Sequence, residues 1–248
     1  MKNRDTGRTD DMKDAGRYEY KFLVDEKKIA ILDSRMRLLM KKDAHVSERG
    51  YYQIRSVYFD DVKDTCYRKN EAGTDPRAKY RIRIYDGRDN YIKLEKKVKQ
   101  NGKTRKYAAS LTREQADLLL DGGLLCVQNE AFDAYDPLIK QFALLQRTNG
   151  LLPKVIVIYD RIPYVYKWGN VRVTFDRNIS ASTDFAHFFE QDILKHPIQA
   201  QGEHLMEVKY DAFLPRVIRT ALGMGTHRQE TFSKFYLCRK YMKRHEGL

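Results

Sequence analysis

The stretch "KYRIRIYDGRDNYIKLEKKVKQ", residues 79–100, decides the fold of this chain. Two runs rich in Tyr, Ile and Leu flank a polar turn at 86–90, which predicts a β-hairpin. Because side chains alternate between the two faces of a strand, one face of this hairpin is apolar and the other is charged. The charged face holds five cations and one carboxylate, and its residues are Lys79, Arg81, Arg83, Lys93, Glu95 and Lys97.

The composition describes a folded, basic protein. Its 248 residues are 42% hydrophobic, which is enough for a core in one large domain or two small ones. Lys and Arg number 47 against 34 Asp and Glu, and the formal net charge is +13. This charge favours a polyanionic partner: nucleic acid, an anionic membrane, a nucleotide or a phosphate polymer. Charge alone does not choose among these partners.

The cysteines and the first residues bear on the cellular compartment in which the protein is expected. Cys66, Cys126 and Cys238 are odd in number and far apart, so they indicate neither a disulfide framework nor a zinc site. Residues 1–16 are polar and of mixed charge, which predicts a flexible tail, with the fold starting near Arg17. No apolar run has the length of a secretion signal or a membrane span, so we expect a cytoplasmic protein.

The remaining patterns predict an α+β fold with roughly eight strands, mostly antiparallel because most connections are short. Further strands are predicted at 17–24, 52–60, 103–111, 153–167, 170–179 and 204–211. Helices are predicted after the capping residue Asp25, after the Thr112–Gln115 capping box, from Pro137, and at about 214–222 and 232–245.

Charged residues also alternate on several other predicted strands, as at Glu19 and Lys21, Arg172 to Asp176, and Glu207 and Lys209. A solvent-facing side of an antiparallel sheet would explain this alternation. However, the excess of cations is costly by self-repulsion unless an anion is present. The opposite faces are apolar enough to support helices from outside. A closed barrel with a charged lumen and external helices satisfies both observations.

Nine short motifs occur in the order of a known family. They are "YEYKFLV", "RSVYFDD", "KYRIRIY", "KLEKK", "GKTRKY", "VIYDRIPY", "VRVTFD", "LMEVKY" and "FSKFYLCRK". Between Arg17 and Lys240 the chain therefore resembles the VTC domain, the polyphosphate polymerase domain of the triphosphate tunnel metalloenzyme (CYTH-like) superfamily. The resemblance implies that residues 17–248 form a single domain, a tunnel-shaped antiparallel β-barrel of about eight strands. Its polar lumen would bind triphosphate and a divalent metal, with helices packed outside and a C-terminal helix closing the site.

The resemblance also assigns roles residue by residue. It implies catalytic roles for Lys21, Arg81, Arg83, Lys97 and Glu207. It implies substrate-binding roles for Lys106, Tyr159, Arg161, Arg172, Lys209, Ser233 and Lys234. Glu207 is also the expected metal ligand. Arginine offers planar paired donors to phosphate, lysine offers mobile point charges, and a carboxylate is the normal ligand of Mg²⁺ or Mn²⁺.

The implied activity is a metal-dependent polyphosphate polymerase that moves the γ-phosphate of ATP onto a growing polyphosphate chain. Tunnel hydrolases of the superfamily begin with Glu-x-Glu-x-Lys, whereas Arg17 stands at the first glutamate here, which favours the polymerase. Two alternatives stay open: a tunnel-fold triphosphatase and a non-catalytic module that binds polyphosphate or another polyanion.

The expected partners follow from the same resemblance. They are ATP or another nucleoside triphosphate, inorganic polyphosphate, and triphosphate or pyrophosphate, with Mn²⁺ or Mg²⁺ as cofactor. A separate membrane protein would be needed to export the polymer, which would put the chain at the inner face of a membrane. No nucleic acid partner is expected, because recognised RNA-binding modules are missing.

Overall fold

The computed structural model describes residues 17–101, 103–125, 135–225 and 227–245. The predicted tail at 1–16 and Cys126 lie outside these ranges. The described residues form an α+β fold with one antiparallel ten-stranded sheet and six α-helices. The strands are β1 (Tyr18–Asp25), β2 (Lys41–Lys42), β3 (Tyr52–Asp60), β4 (Arg77–Tyr85), β5 (Arg88–Gln100), β6 (Lys103–Ser110), β7 (Leu152–Tyr166), β8 (Val171–Ser182), β9 (His196–Pro197) and β10 (Glu203–Tyr210). The helices are α1 (Glu26–Leu39), α2 (Thr65–Glu71), α3 (Arg113–Leu120), α4 (Pro137–Asn149), α5 (Arg216–Leu222) and α6 (Lys234–His245).

The hairpin predicted at 79–100 is confirmed by β4 and β5. Arg81 pairs with Glu95 and Arg83 with Lys93 in the antiparallel register. Its turn is shorter than predicted, because β5 already begins at Arg88. Asp86 and Gly87 adopt φ values of 51° and 68°. Two consecutive residues with positive φ are sufficient for a two-residue hairpin turn.

The predicted helix starts are also confirmed. The Asp25 side chain accepts a hydrogen bond of 2.7 Å from the backbone N–H of Lys28 at the start of α1. Thr112 and Gln115 form the reciprocal capping box that begins α3. Pro137 takes the first turn of α4, where its missing N–H costs no helical hydrogen bond.

The closed barrel predicted from the charge pattern is not confirmed. Eight strands follow the order β1-β10-β8-β7-β3-β4-β5-β6, while β2 pairs with β7 and β9 with β8. Among the described residues, the two end strands β1 and β6 share no ladder, so the sheet is open. The sheet nevertheless curls. The curl is evident from Lys97 of β5, whose Nζ lies 3.4 Å from Oε2 of Glu19 on β1. We call the face on which these two side chains meet the inner face.

Four helices pack on the outer face, as predicted. α3 and α4 cover one half of the sheet, where Leu119 and Phe142 pack with Ile82 and Leu94. α1 and α5 cover the other half. There Leu32, Met36 and Ile218 pack with Val173 and Met206. The alternation of the strands therefore turns an apolar face outward against these helices, while charged side chains such as Arg81, Glu95 and Glu207 point inward.

Helix α6 lies instead on the inner face. Phe235, Cys238 and Met242 are buried among inner-face residues of β7, β8 and β10. The Phe235 ring packs against Tyr58 of β3 with a centroid distance of 5.0 Å. One end of the inner face is thus filled by an apolar helix, and the charged side chains are confined to the other end.

No helix among the described residues combines the length and the apolar character that crossing a membrane requires.

Candidate functional site

The inner face and the start of α6 enclose a cavity of about 740 Å³. We call it the basic cavity, because eleven Lys and Arg line it against five Glu among the described residues. The cations are Arg17, Lys21, Arg77, Lys79, Arg81, Arg83, Lys97, Lys99, Arg161, Lys209 and Lys234. The glutamates are Glu19, Glu71, Glu95, Glu207 and Glu230. The wall therefore carries a positive excess suited to a polyanion.

Arg81 and Glu95 form the ion pair at the centre of the hairpin. Arg81 Nε donates to Glu95 Oε2 at 2.7 Å, and its Nη1 donates to the Tyr58 hydroxyl at 2.8 Å. Lys106 of β6 contacts the other Glu95 oxygen. Burial raises the pKa of Glu95, but attraction to Arg81, Arg83 and Lys106 outweighs burial and lowers the pKa to about 2. Glu95 thus stays ionised and fixes two cations.

Arg83 is buried beside this pair but has longer contacts. Its Nε lies 3.3 Å from Ser56 Oγ and 3.9 Å from Glu95 Oε2, and its Nη2 lies 3.5 Å from the Tyr159 hydroxyl. These distances are at or beyond the limit of good hydrogen bonds. The guanidinium of Arg83 therefore has donor capacity left for an anion in the basic cavity.

Glu207 lies at the base of the cavity in a buried network. Lys234 Nζ donates to Glu207 Oε1 and Lys209 Nζ to Oε2, both at 2.7 Å. Asp176 binds Arg161 through both of its oxygens at 2.6 and 2.7 Å and contacts Lys234 at 2.6 Å. Burial raises the pKa of Glu207, but Lys209 and Lys234 hold it well below its ordinary value. Both carboxylates are therefore ionised.

Glu19 joins the open side of the cavity. Its carboxylate lies 3.1 Å from Lys21, 3.4 Å from Lys97 and 3.9 Å from Lys209. Burial raises the pKa of Glu19, but Lys209, Lys21 and Lys97 together lower it to about 2. The ammonium of Lys209 consequently bridges Glu19 and Glu207, and the two carboxylates form one electrostatic unit.

Lys79 is a cavity residue that the family resemblance did not assign. Its Nζ donates to Ser233 Oγ at 3.1 Å and also contacts Asn70 Oδ1. Burial, with repulsion from Arg77, Lys97 and Lys21, outweighs its attractions and lowers the pKa of Lys79 to about 7. The alternation in residues 79–100 already placed Lys79 on the same face of the hairpin as Arg81. This shared face is the sequence pattern that could have identified Lys79 as a site residue.

Ten of the twelve predicted site residues line the basic cavity. Lys106 does not line it, but it reaches Glu95 from the edge strand. Arg172 lies apart from the others: its guanidinium contacts Asp43 and lies 3.4 Å from the Tyr52 hydroxyl. The structure thus brings ten of the predicted residues together, with Lys106 beside them and Arg172 apart, while the roles of all twelve remain predictions.

A divalent metal is implied by the family, and the donor set can be compared with its needs. Among the described residues, no group of three or more His, Cys, Asp or Glu side chains could hold an ion by itself. Mg²⁺, however, commonly binds one or two carboxylates, water and substrate phosphates. Glu207 and Glu19 are both ionised, and the ammonium of Lys209 contacts both of them. These two carboxylates fit the needs of a divalent metal whose other ligands are water and the phosphates of a bound substrate.

Residues 16–243 match the VTC domain family, and the chain belongs to that family. A protein from Bacillus halodurans, named as a candidate adenylate cyclase, is 14% identical with a TM-score of 0.48, and the match covers 88% of this chain and 95% of that one. The PH1819 protein from Pyrococcus horikoshii OT3 is 16% identical with a TM-score of 0.43, with 90% and 99% covered. A conserved hypothetical protein from Pyrococcus furiosus is 12% identical with a TM-score of 0.42, with 87% and 97% covered. No curated protein matches the chain.

Proposed function

We propose that this protein is a metal-dependent polyphosphate polymerase that transfers the γ-phosphate of ATP to a growing inorganic polyphosphate chain. The observation that carries the proposal is the basic cavity itself, with eleven cations and five glutamates around about 740 Å³. A single triphosphate would not balance such a wall together with a metal ion. A donor triphosphate and the end of an acceptor chain would do so better. Membership of the VTC domain family supports this activity.

The reaction needs one in-line displacement. A terminal oxygen of the polyphosphate attacks the γ-phosphorus of ATP, a new P–O bond forms, the bond between the γ-phosphorus and the bridging oxygen breaks, and ADP leaves. The attacking oxygen is already ionised, so no side chain has to remove a proton. Catalysis then depends on positioning and on stabilising the charge of the transferred group.

The cavity residues divide this task by their chemistry. Arg83 and Arg81 would hold equatorial phosphate oxygens, because guanidinium groups bind them through paired hydrogen bonds. Lys21, Lys97 and Lys209 would supply mobile charges along the open side. Ser233 and Lys234 would contact phosphate from the start of α6, where Lys234 is already anchored on Glu207 and Asp176.

Glu207, with Glu19 beside it, would hold the divalent metal. When bound, the metal neutralises phosphate charge and orients the donor triphosphate. Lys209 would keep the two carboxylates ionised before the metal and the nucleotide arrive, since its ammonium contacts both of them.

The residue at position 17 favours polymerisation over triphosphate hydrolysis. Arg17 lines the cavity and pairs with Asp211 at 2.8 Å, so a guanidinium stands at the position given to a glutamate in tunnel hydrolases. This extends the cation path and weakens an acid-rich metal site. Both effects suit a bound phosphate chain better than an activated water.

The test is an assay of product type. Purified protein is incubated with ATP and Mn²⁺, with and without short polyphosphate primers, and chain length is read on gels beside measurements of ADP and free phosphate. We expect polymer and ADP in proportion, and a shorter lag with primers. Free phosphate without any product longer than triphosphate would instead assign a triphosphatase. Tight polyphosphate binding without turnover would assign a non-catalytic module.

A further inference from the structure

A second cavity, of about 570 Å³, lies on the outer face of β1 and β10. We call it the aromatic groove. Its floor is a ladder of rings: Tyr18 stacks on Tyr210 at a centroid distance of 5.1 Å, and Tyr20 lies 5.9 Å from the same ring. Phe213, which is 54% exposed, forms part of its wall, and Tyr18 is 55% exposed. The groove thus offers aromatic faces to a ligand from solvent.

The aromatic groove adjoins the basic cavity across one strand. Tyr18, Tyr20 and Gln229 line both spaces. β1 ends the order of the sheet, and alternation sends Glu19 and Lys21 to the inner face and Tyr18 and Tyr20 to the outer face. The two spaces therefore meet at Tyr18 and Tyr20, and a molecule that extends from the basic cavity around β1 into the groove would contact both residues.

Polar groups at the edge of the groove could orient such a molecule. Arg219 of α5, His227 and Gln229 also line the groove. A cavity of this size with an aromatic floor and a few polar groups is typical of a small-ligand site. Cross-strand packing alone accounts for Tyr20 and Tyr210, which adjoin the apolar core of this half. It also accounts for the contact between Tyr18 and Tyr210, which are partners in the β1–β10 ladder. More than half of the surface of Tyr18 and of Phe213 nevertheless remains open to solvent.

We propose that the aromatic groove binds the base of the nucleoside triphosphate whose phosphates occupy the basic cavity. This inference rests on the proposed function, since it places the phosphates of the donor in that cavity. Aromatic side chains stack well on bases because every base has a π face. A purine, with two fused rings, covers more of the ladder than a pyrimidine. The groove would give the enzyme a means to prefer a nucleotide over inorganic triphosphate or polyphosphate as donor.

The test compares two ligands in three variants by calorimetry. Phe213→Ala and Tyr18→Ala each remove one exposed ring from the groove, and Tyr91→Ala is the matched control, because Tyr91 is half-exposed on β5 and lines neither cavity. Each protein is titrated with ATP and with inorganic triphosphate. We expect the two groove variants to bind ATP about 5- to 100-fold more weakly, the range expected for one lost stacking contact. The binding of triphosphate by Phe213→Ala should change less than about twofold, as should both affinities of Tyr91→Ala, because neither residue lines the basic cavity.

Each contrary result has a distinct meaning. Unchanged ATP affinity in Phe213→Ala and Tyr18→Ala would overturn the inference and leave the groove to another occupant, such as a peptide. An equal loss for both ligands in Phe213→Ala would also overturn it, because this ring would then act on the basic cavity rather than on a base. A selective loss of ATP binding without any polymer formation would sustain the inference while refuting the polymerase. No binding of either ligand to the unmodified protein would refute both.

Discussion

Lys97 of β5 and Glu19 of β1 form a 3.4 Å ion pair between two strands that are not neighbours in the sheet. The pair joins the two sides of the open sheet where the described residues provide no backbone hydrogen bonds between β1 and β6. Side chains, rather than a ladder, therefore bring the inner face together at this end. Because Glu19 also contacts Lys21, this junction is part of the wall of the basic cavity.

Arg83 should be the most informative arginine for phosphate binding. Arg83→Gln is expected to weaken triphosphate binding by roughly 10- to 100-fold, since a hydrogen bond to a charged group contributes about 1.5–3 kcal/mol. The fold should persist, because Glu95 keeps Arg81 and Lys106 as partners. Calorimetry measures the affinity, and thermal denaturation checks the fold.

Arg172→Gln is the matched control for this change, because Arg172 lies on the same sheet but outside the cavity lining. It should leave triphosphate affinity within about twofold, since the guanidinium of Arg172 contacts Asp43 and does not line the basic cavity. If both variants lose affinity equally, Arg172 belongs to the binding site after all. Arg81 is a poorer choice than Arg83, because its side chain also holds Glu95 and Tyr58 in place.

Triphosphate affinity should fall as the pH rises above 7. The pKa of Lys79 is about 7 and that of Lys97 about 8 in the unliganded protein. A bound polyanion favours the charged ammonium and raises both pKa values, so protons are taken up on binding. The contribution of Lys79 is therefore fully present below pH 7 and declines above it.

Titrations with triphosphate from pH 6 to 9 test this dependence, with Lys79→Arg as the comparison because arginine stays charged throughout. The ligand titrates equally in both experiments, so the difference between the two curves isolates Lys79. We expect the affinity of the variant to decline less than that of the unmodified protein. Parallel curves would show that Lys79 does not change its charge on binding.

Sequence patterns predicted the elements of this fold better than their arrangement. The period-two alternation of 79–100 identified both hairpin strands and the faces of Lys79, Arg81 and Glu95, because strand geometry fixes which side chains share a face. The capping residues Asp25 and Thr112 marked helix starts for an equally local reason. The family motifs pointed to twelve candidate site residues, and the fold brings ten of them into one cavity.

What the patterns could not supply were properties of packing between distant segments. Helical spacing shows that Phe235, Cys238 and Met242 share an apolar stripe, but not which side of the sheet that stripe covers. Whether β1 and β6 form a ladder depends on the curl of the whole sheet. The separation of Arg172 from the cavity likewise depends on Asp43, a residue more than a hundred positions away that binds its guanidinium.

Helix α6 should contribute strongly to stability from its place on the inner face. Phe235 is buried against Tyr58, and Phe235→Ala is expected to lower the free energy of unfolding by about 3–5 kcal/mol. Leu144→Ala is the control: Leu144 is 59% exposed on α4, so its loss should cost less than about 0.5 kcal/mol. Chemical denaturation measures both. Equal, small effects would show that α6 does not pack on the sheet.

Glu207 is predicted to separate phosphate binding from turnover. Its two oxygens bind Lys209 and Lys234, and Arg161 lies 3.7 Å away, so Glu207→Gln leaves these cations with one negative charge fewer. The basic cavity then attracts anions more strongly. Triphosphate affinity in the absence of metal should therefore stay equal or increase. Lys234 keeps Asp176 and Lys209 keeps Glu19, so the fold should survive the change.

Turnover should respond in the opposite direction. A glutamine amide is a far weaker ligand for Mn²⁺ than a carboxylate, and without a bound metal the charge of the transferred phosphoryl group is stabilised less. Mutations that remove one such electrostatic stabiliser commonly lower kcat by about 100- to 1,000-fold, and we expect a loss of that size. Glu48→Gln, at an exposed position outside the cavity, should leave both turnover and triphosphate affinity unchanged.

The assay measures ADP release across a Mn²⁺ titration, and calorimetry without metal measures triphosphate affinity. Full turnover of Glu207→Gln at every Mn²⁺ concentration would remove Glu207 from the metal site, and a parallel loss of metal-free binding would make it a structural support for Lys209 and Lys234 instead.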